Sequence, residues 1–420
     1  MQSDQIYFLI TCIAMVLFMT PGLAFFYGGL VRASSVVSMM MMSFGALALV
    51  SILWIAYGYA MAFSGAGSAS YFGFDGVLGI DTDSIFLNQF LDERMSFDLV
   101  FAAFQGTFAV ITVALISGAI ADRARFGSWM IFAGVWATLV YFPIAGWVFN
   151  FTLDDSGAIV DGGWLVKDVG LLDFAGGTVV EVGSGAAALA VALVLGKRFG
   201  FRKGMYAPHN VPLTLIGAGI LWFGWFAFNA GSELAADGIA SLAFLNTLVA
   251  PAAAMLSWAA FERITSGKPT AVGIASGAIS GAVAITPSCA FLDPIWAIVL
   301  GLIVGVVCAW AIELKFALGF DDSLDVVGIH LVGGIVGTLF IGLFGRGVGL
   351  FFGNSADQLI AQAIGVIAVG LYSFVMAYLI ALAIEKTIGF RVQSVEEEAG
   401  IDPIQHGQLG YHAEDPRWKV

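Results

Sequence analysis

The sequence contains eleven apolar runs long enough to cross a lipid bilayer, and this succession constrains the fold more than any other feature. A helix needs about 20 apolar residues to span the hydrocarbon core. Only 11% of the residues are charged, whereas a soluble domain carries about 25%. We therefore predict an all-α polytopic membrane protein with eleven transmembrane helices. The predicted spans are 6–28, 36–63, 98–120, 128–150, 176–196, 211–231, 239–261, 271–288, 293–314, 326–345 and 359–385.

Basic residues lie mainly on one side of these spans. Of the 17 lysines and arginines, all but Arg94, Lys167 and Arg346 fall in the loops and tail on the side of the C-terminus. Cytoplasmic loops are enriched in lysine and arginine, so we predict an outside N-terminus and a cytoplasmic C-terminus. Residues 1–388 form the predicted transmembrane domain, and residues 389–420 form a cytoplasmic C-terminal tail.

The acidic residues make the predicted outer surface strongly negative. Such a surface concentrates cations and repels anions. An adaptation of the exterior to a salty or acidic medium would produce the same excess. Charge alone therefore leaves both interpretations open.

Glu181 lies well inside the fifth apolar run, eight residues after Asp173. An acid near the centre of a spanning helix costs roughly 2.5 to 3.5 kcal/mol, so such a residue has a partner or a function. His330 is the candidate partner, because it alone among the four histidines lies inside an apolar run. A carboxyl–imidazole pair can accept and pass a proton. Spacing along the chain does not by itself bring the two residues together.

The spans also indicate an internal duplication. Spans 1–5, over about 6–196, and spans 6–10, over about 211–345, form two sets of five, and an odd number makes the second set an inverted repeat. The fifth span of each set begins with an acid and contains one ionisable group. Asp173 and Glu181 hold these places in the first set, and Asp325 and His330 hold them in the second.

Two aromatic groups lie at the predicted outer face. Phe104 and Phe108 are four residues apart and share a helix face, and a second group extends from Trp222 to Phe228. Aromatic rings below an acidic surface can form a cation–π vestibule. An aromatic belt at the membrane interface is the alternative.

Other classes of function lack support in the sequence. Three scattered cysteines form neither a disulfide framework nor a metal site, and the first apolar run has no signal-peptide flanks. There is no nucleotide-binding fingerprint and no nucleophile–base pair. We therefore expect neither a cofactor nor a metal, no nucleic-acid partner, and a protein that is not an enzyme.

Several longer motifs resemble the ammonium transporter family, which includes the methylammonium permeases and the Rhesus proteins. The match extends over nearly the whole chain and into the tail. The motifs are Pro21-Gly-Leu-Ala-Phe-Phe-Tyr-Gly-Gly-Leu30, Ala103-Phe-Gln-Gly-Thr-Phe108, Asp173-Phe-Ala-Gly-Gly-Thr-Val-Val180, Gly224-Trp-Phe-Ala-Phe-Asn-Ala-Gly-Ser232 and Asp325-Val-Val-Gly-Ile-His330.

This resemblance implies a homotrimer in the cell membrane whose subunits each contain a narrow pore. By position, Phe104, Phe108 and Ser232 resemble the outer ammonium-binding site, and Phe108 and Phe228 resemble the paired gate. The family's tryptophan at the outer site corresponds either to Phe149 or to Trp164. Asp173 resembles the acid that orders the capture site indirectly, and Trp225 resembles a pore-lining tryptophan.

The chain departs from the family pattern at the centre of the pore. Most members carry two hydrogen-bonded histidines there; His330 matches the second, and Glu181 stands in place of the first. Some fungal permeases similarly carry an acid at this position. The effect of Glu181 on selectivity and on proton transfer is therefore left open.

The predicted function is uptake of ammonium or methylammonium. The pore conducts ammonia with a proton relay, or ammonium itself, past Glu181 and His330. A sensor with little bulk flux and a neutral gas channel are the alternatives. The resemblance further implies that a cytosolic signalling protein of the PII type binds the tail.

Overall fold

The computed structural model describes residues 2–63, 71–91, 96–154, 158–202 and 207–411, and within them the predicted all-α membrane architecture is confirmed. A helix lies in each of the eleven apolar runs. Ten are long and apolar enough to span a membrane, and α8 is an apolar helix of 15 residues. The helices are α1 (Ser3–Leu30), α2 (Ala33–Ala62), α3 (Phe97–Ile120), α4 (Phe126–Phe149), α5 (Gly177–Leu195), α6 (Val211–Gly231), α7 (Gly238–Thr265), α8 (Ala271–Ile285), α9 (Pro294–Leu318), α10 (Val327–Phe344) and α11 (Asp357–Thr387).

Local side chains determine where several helices begin. Asn210 accepts a hydrogen bond from Leu213 N (2.9 Å) at the start of α6. Asp237 accepts from the N–H groups of Ile239 and Ala240 at the start of α7. The first backbone N–H groups of a helix have no partner within the helix, so these side chains satisfy them.

The two predicted halves repeat the same neighbour relations. In the first, α1 packs on α2 and α3, and α2 packs on α3 and α4; in the second, α6 packs on α7 and α8, and α7 packs on α8 and α9. The halves meet where α1 lies along α6. A Cβ at Gly217 of α6 would lie 2.2 Å from Phe26 N of α1, so glycine allows this close approach.

Two small hairpins lie in the two long connections that are predicted to be on the outer side. Strands β1 (Tyr71–Phe74) and β2 (Leu78–Asp81) pair antiparallel, as do β3 (Phe151–Leu153) and β4 (Ile159–Gly162). Trp164 N donates to Gly76 O (3.1 Å), which joins the two connections. Arg94, counted among the outer basic residues, lies outside the described residues.

The tail packs against loops on the side predicted to be cytoplasmic. It contains α12 (Ser394–Ala399) and α13 (Ile401–Gln405). Buried Glu397 accepts from Arg391 Nη2 (2.7 Å) and Phe199 N (2.5 Å). Buried Asp402 accepts from the N–H groups of Val37 and Ser38, each at 2.8 Å. Residues 412–420 of the predicted tail, and Lys203, lie outside the described residues.

Candidate functional site

Helices α5 and α10 both begin with a wide π-helical turn, and these turns carry the two ionisable groups. The turn Gly177–Val182 holds Glu181, and the turn Val327–Leu331 holds His330. Such turns recur at functional sites in proteins. A Cβ at Gly185 would lie 2.4 Å from Leu331 N, and one at Gly334 would lie 2.9 Å from Gly177 O. The helices therefore touch through glycine.

Asp173 holds the start of α5 in place. Its carboxylate accepts from the N–H groups of Gly176 (2.9 Å), Gly177 (2.6 Å) and Thr178 (2.8 Å), and from the Thr178 hydroxyl. Gly176 has φ 104°, a conformation that glycine adopts without strain. Burial raises the pKa of Asp173, although these hydrogen bonds favour its charged form. The side chain thus positions the turn that carries Glu181.

The sequence comparison of the halves proposes Asp325 as the counterpart of Asp173. In the structure the acid that caps α10 is instead Asp322. Asp322 Oδ2 accepts from Val327 N (2.7 Å) at the start of the helix. Asp325 instead pairs with Lys315 Nζ (2.5 Å) and has φ 65°. The signal is present in the sequence, because Asp322 precedes His330 by eight residues, as Asp173 precedes Glu181.

Glu181 and His330 are brought into direct contact. Glu181 Oε2 lies 2.6 Å from His330 Nδ1, and the two side chains are 1% and 4% exposed. The short contact holds in either proton arrangement, a neutral acid beside a neutral ring or a carboxylate beside an imidazolium. Each group therefore satisfies the other away from water, and a proton can move along the bond between them.

The pair lines a narrow apolar cavity. Its volume is about 10 Å³, which is about the space that one water molecule needs. The other lining residues are Met19, Leu23, Phe26, Ile111, Leu115, Val180, Leu221, Trp225, Phe228 and Ile279. Sequence reasoning missed most of these, because apolar residues in an apolar helix carry no distinguishing signal. A small neutral molecule fits this space, whereas an unpaired ion would lose its hydration at a large cost.

Three of the predicted aromatic residues form one stack at the predicted outer end of this cavity. Phe108 and Phe228 lie face to face with ring centroids 4.1 Å apart, and Phe104 meets Phe108 edge-on at 4.9 Å. All three are almost fully buried. Because Phe228 also lines the cavity, the stack separates the Glu181–His330 pair from the predicted outer side.

Ser232 and Trp225 lie on the same helix as Phe228 or directly after it. The Ser232 hydroxyl donates to Phe228 O (2.8 Å) and is partly exposed. Trp225 lines the cavity, and its indole N–H donates to Thr286 Oγ1 (2.8 Å). Phe228 thus connects three predicted features, since it bonds to Ser232, stacks on Phe108 and lines the cavity with Trp225.

Phe149 and Trp164, the two candidates for the outer tryptophan, are placed differently. Phe149 is the last residue of α4 and is partly buried. Trp164 packs edge-on against Trp147 with ring centroids 5.7 Å apart. Among the described residues, neither makes a ring contact with Phe104 or Phe108, so the choice between them stays open.

Glu233 is a further acid at this entrance that sequence reasoning did not single out. It follows Ser232 directly and is partly buried. Burial and the nearby Asp237 raise its pKa to about 7. Its position next to the predicted serine was the available signal.

The chain matches known proteins over most of its length. The model of the Ammonium Transporter Family matches residues 7–411. An ammonium transporter of Mycobacterium tuberculosis is 48% identical over 423 residues, which cover 95% of this chain and 88% of that protein.

Solved structures also share its fold. The crystal structure of Saccharomyces cerevisiae Mep2 aligns with a TM-score of 0.82 and 32% identity, over 93% of this chain and 90% of that one. A structure titled Sensor Amt Protein aligns with a TM-score of 0.88 and 28% identity, over 95% of this chain and 97% of that one.

Proposed function

Because the chain belongs to the Ammonium Transporter Family, we propose that it carries ammonium across a membrane through the cavity lined by Glu181 and His330. The resemblance indicated by the sequence motifs is confirmed by these matches. The chain is thus a multi-pass membrane transporter and not an enzyme.

Capture takes place at the outer entrance. Ammonium approaches the negative surface, donates a hydrogen bond to the Ser232 hydroxyl and exchanges water for the faces of Phe104 and Phe108. Trp164 or Phe149 completes this aromatic site. Asp173 acts indirectly, because its carboxylate is occupied by the start of α5.

Ammonium then gives up a proton, and ammonia passes the gate of Phe108 and Phe228 into the cavity. The observation that carries this mechanism is the 2.6 Å contact between Glu181 and His330 inside an otherwise apolar cavity. The pair takes the proton and passes it onward, and ammonium forms again on the inner side. Potassium has no proton to release, so this path excludes it.

The substitution Glu181→Gln tests the relay, because glutamine keeps the size of the side chain and removes its titration. Purified protein in liposomes is exposed to ammonium, methylammonium and potassium while current is recorded. We expect the ammonium current to fall at least tenfold. An unchanged current together with unchanged potassium exclusion would reject the relay. Asp293→Asn, which removes a partly exposed acid at the start of α9, serves as the control.

A sensor is the second candidate, supported by the structural likeness to the protein titled Sensor Amt Protein. A sensor would bind ammonium without bulk flux. The same liposomes distinguish the two, because a sensor shows neither current nor uptake. Uptake without current would instead indicate a neutral gas channel.

The remaining features follow from family membership and the docked tail. We propose a homotrimer in the cell membrane, with residues 1–388 as the transmembrane domain of two inverted halves and 389–420 as a cytoplasmic tail. A PII-type protein is proposed to bind this tail. Buried Glu397 ties the tail to the loop after α5, and buried Asp402 ties it to the start of α2, so such a partner would act on these two segments.

A further inference from the structure

A second cavity lies close to the first, on the side predicted to be cytoplasmic. It has a volume of about 210 Å³, and we call it the inner vestibule. Its lining residues are Leu30, Arg198, Phe201, Arg202, Pro208, Val272, Lys315, Phe316, Ser323, Leu324 and Asp325. Helix α1 contributes Phe26 to the pore cavity and Leu30 to the vestibule. These residues are one turn apart, which is about 6 Å.

Tyr27 lies on α1 between Phe26, which lines the pore cavity, and Leu30, which lines the inner vestibule. Its hydroxyl donates to Leu115 O (3.1 Å), and Leu115 lines the pore cavity. The ring packs closely against Gly118, where an added Cβ would lie 2.6 Å away. Tyr27 is also within electrostatic reach of both Glu181 and Asp322. The Tyr27 hydroxyl is thus a polar group bonded to a residue of the pore-cavity lining, on the helix that also lines the vestibule.

Asp322 is a buried carboxyl with one oxygen to spare. Its side chain is 1% exposed, Oδ2 caps α10, and Oδ1 forms no hydrogen bond with any described residue. Leaving a buried polar atom unpaired costs roughly 1 to 3 kcal/mol. A cap alone does not account for this oxygen, since Asp173 shows a cap of α5 in which both oxygens are satisfied.

Charged groups of both signs surround Asp322. Lys315 Nζ donates to its backbone carbonyl (2.9 Å), Asp325 lies beside Lys315, and Asp321 and Arg123 are near. Burial raises the pKa of Asp322 to about 6, while Lys315 favours the charged form and Asp325 opposes it. The group can therefore gain and lose a proton close to neutral pH.

We propose that Asp322 is the inner proton acceptor of the transporter, receiving the proton of the Glu181–His330 pair and returning it to ammonia at the edge of the inner vestibule, whose lining begins with the next residue, Ser323. This inference rests on the proposed function. The pair loses the proton to the Asp322 carboxylate by way of the Tyr27 hydroxyl, which accepts one proton as it donates another. The carboxylic acid then donates to ammonia, so ammonium and a free carboxylate result.

Asp322→Asn is the direct test, because the amide oxygen can still cap α10 while the proton can no longer be held. Ammonium-evoked current is recorded in liposomes with the pH on the vestibule side set between 5 and 8. The wild-type current should change with this pH, and the midpoint of the change should lie near the pKa of Asp322, which is about 6. The variant should lose at least 90% of the current and this dependence, with an unchanged thermal unfolding midpoint.

Two further variants separate the explanations. Asp293→Asn, which removes a partly exposed acid that is not part of the vestibule lining, should keep the current within about twofold. Tyr27→Phe removes only the Tyr27 hydroxyl and should reduce the current several-fold. This variant tests the proposed proton route even if Asp322→Asn does not fold.

The outcomes are distinguishable. A normal current and pH dependence in Asp322→Asn would overturn this inference and leave the proposed function intact. If Asp322→Asn does not fold, a normal current in Tyr27→Phe would overturn the proposed proton route and with it this inference. Absence of current in the wild-type protein would overturn the proposed function and this inference together.

Discussion

Asp173 and Asp322 each lie eight residues before an ionisable pore side chain and each cap the helix that carries it. Asp173 accepts hydrogen bonds from four backbone N–H groups and one hydroxyl, so both of its oxygens are used. Asp322 Oδ2 accepts a hydrogen bond from Val327 N, and Oδ1 has no hydrogen-bond partner among the described residues. Equivalent positions in the two halves therefore carry different chemistry.

This difference indicates how two similar halves can serve an asymmetric task. Asp173, on the predicted outer side, holds a turn in place, because both oxygens of its carboxylate are engaged in hydrogen bonds. The inner acid keeps an oxygen for a proton. Two halves of similar architecture thus allow the proposed capture of ammonium at one end of the pore and its proposed release at the other.

The largest expected effect is on the stability of Asp173→Ala. The substitution removes the Asp173 acceptor of four N–H groups and a hydroxyl at the start of α5. We expect a loss of about 3 kcal/mol or more in the free energy of unfolding, together with loss of transport. Thermal unfolding in detergent measures this loss. If Asp322→Ala destabilised the protein as much, the contrast between the two acids would fail.

The next effect is a pH dependence of the free energy of unfolding that arises from Asp322. The pKa rises from 3.8 to about 6 on folding, so the protonated form is favoured in the folded state. Relative to Asp322→Asn, the wild-type protein keeps its full stability below about pH 4 and loses about 3 kcal/mol as the pH rises through 6. Unfolding midpoints of both proteins between pH 4 and 7 measure this difference. A constant difference would show that the inner acid does not titrate in this range.

A smaller effect is expected where the two capped helices touch. In Gly185→Ala the new methyl group would lie 2.4 Å from Leu331 N, so α5 and α10 must separate. We expect a loss of about 2 kcal/mol in stability and a current reduced at least tenfold. Gly219→Ala is the matched control, because nothing lies within 4 Å of its added Cβ. Equal effects of the two substitutions would mean that this contact does not position Glu181 against His330.

Much of the fold could be predicted, because apolar runs and the rarity of charge state directly which segments can cross a bilayer. Each predicted span contains a helix whose ends differ from the prediction by a few residues. Glu181 and His330 stood out for the same reason, since ionisable groups are rare within such runs.

The apolar pattern alone indicates which segments form helices and singles out Glu181 and His330 as the two residues that need a partner. Only the tertiary structure decided that these two residues meet, since 149 positions separate them and their contact depends on two glycine-lined turns. It also decided that Asp322 caps α10 while Asp325 turns to Lys315. The physical reason is that helix starts and buried pairs are selected by hydrogen-bond geometry in three dimensions, which the composition of a chain does not contain.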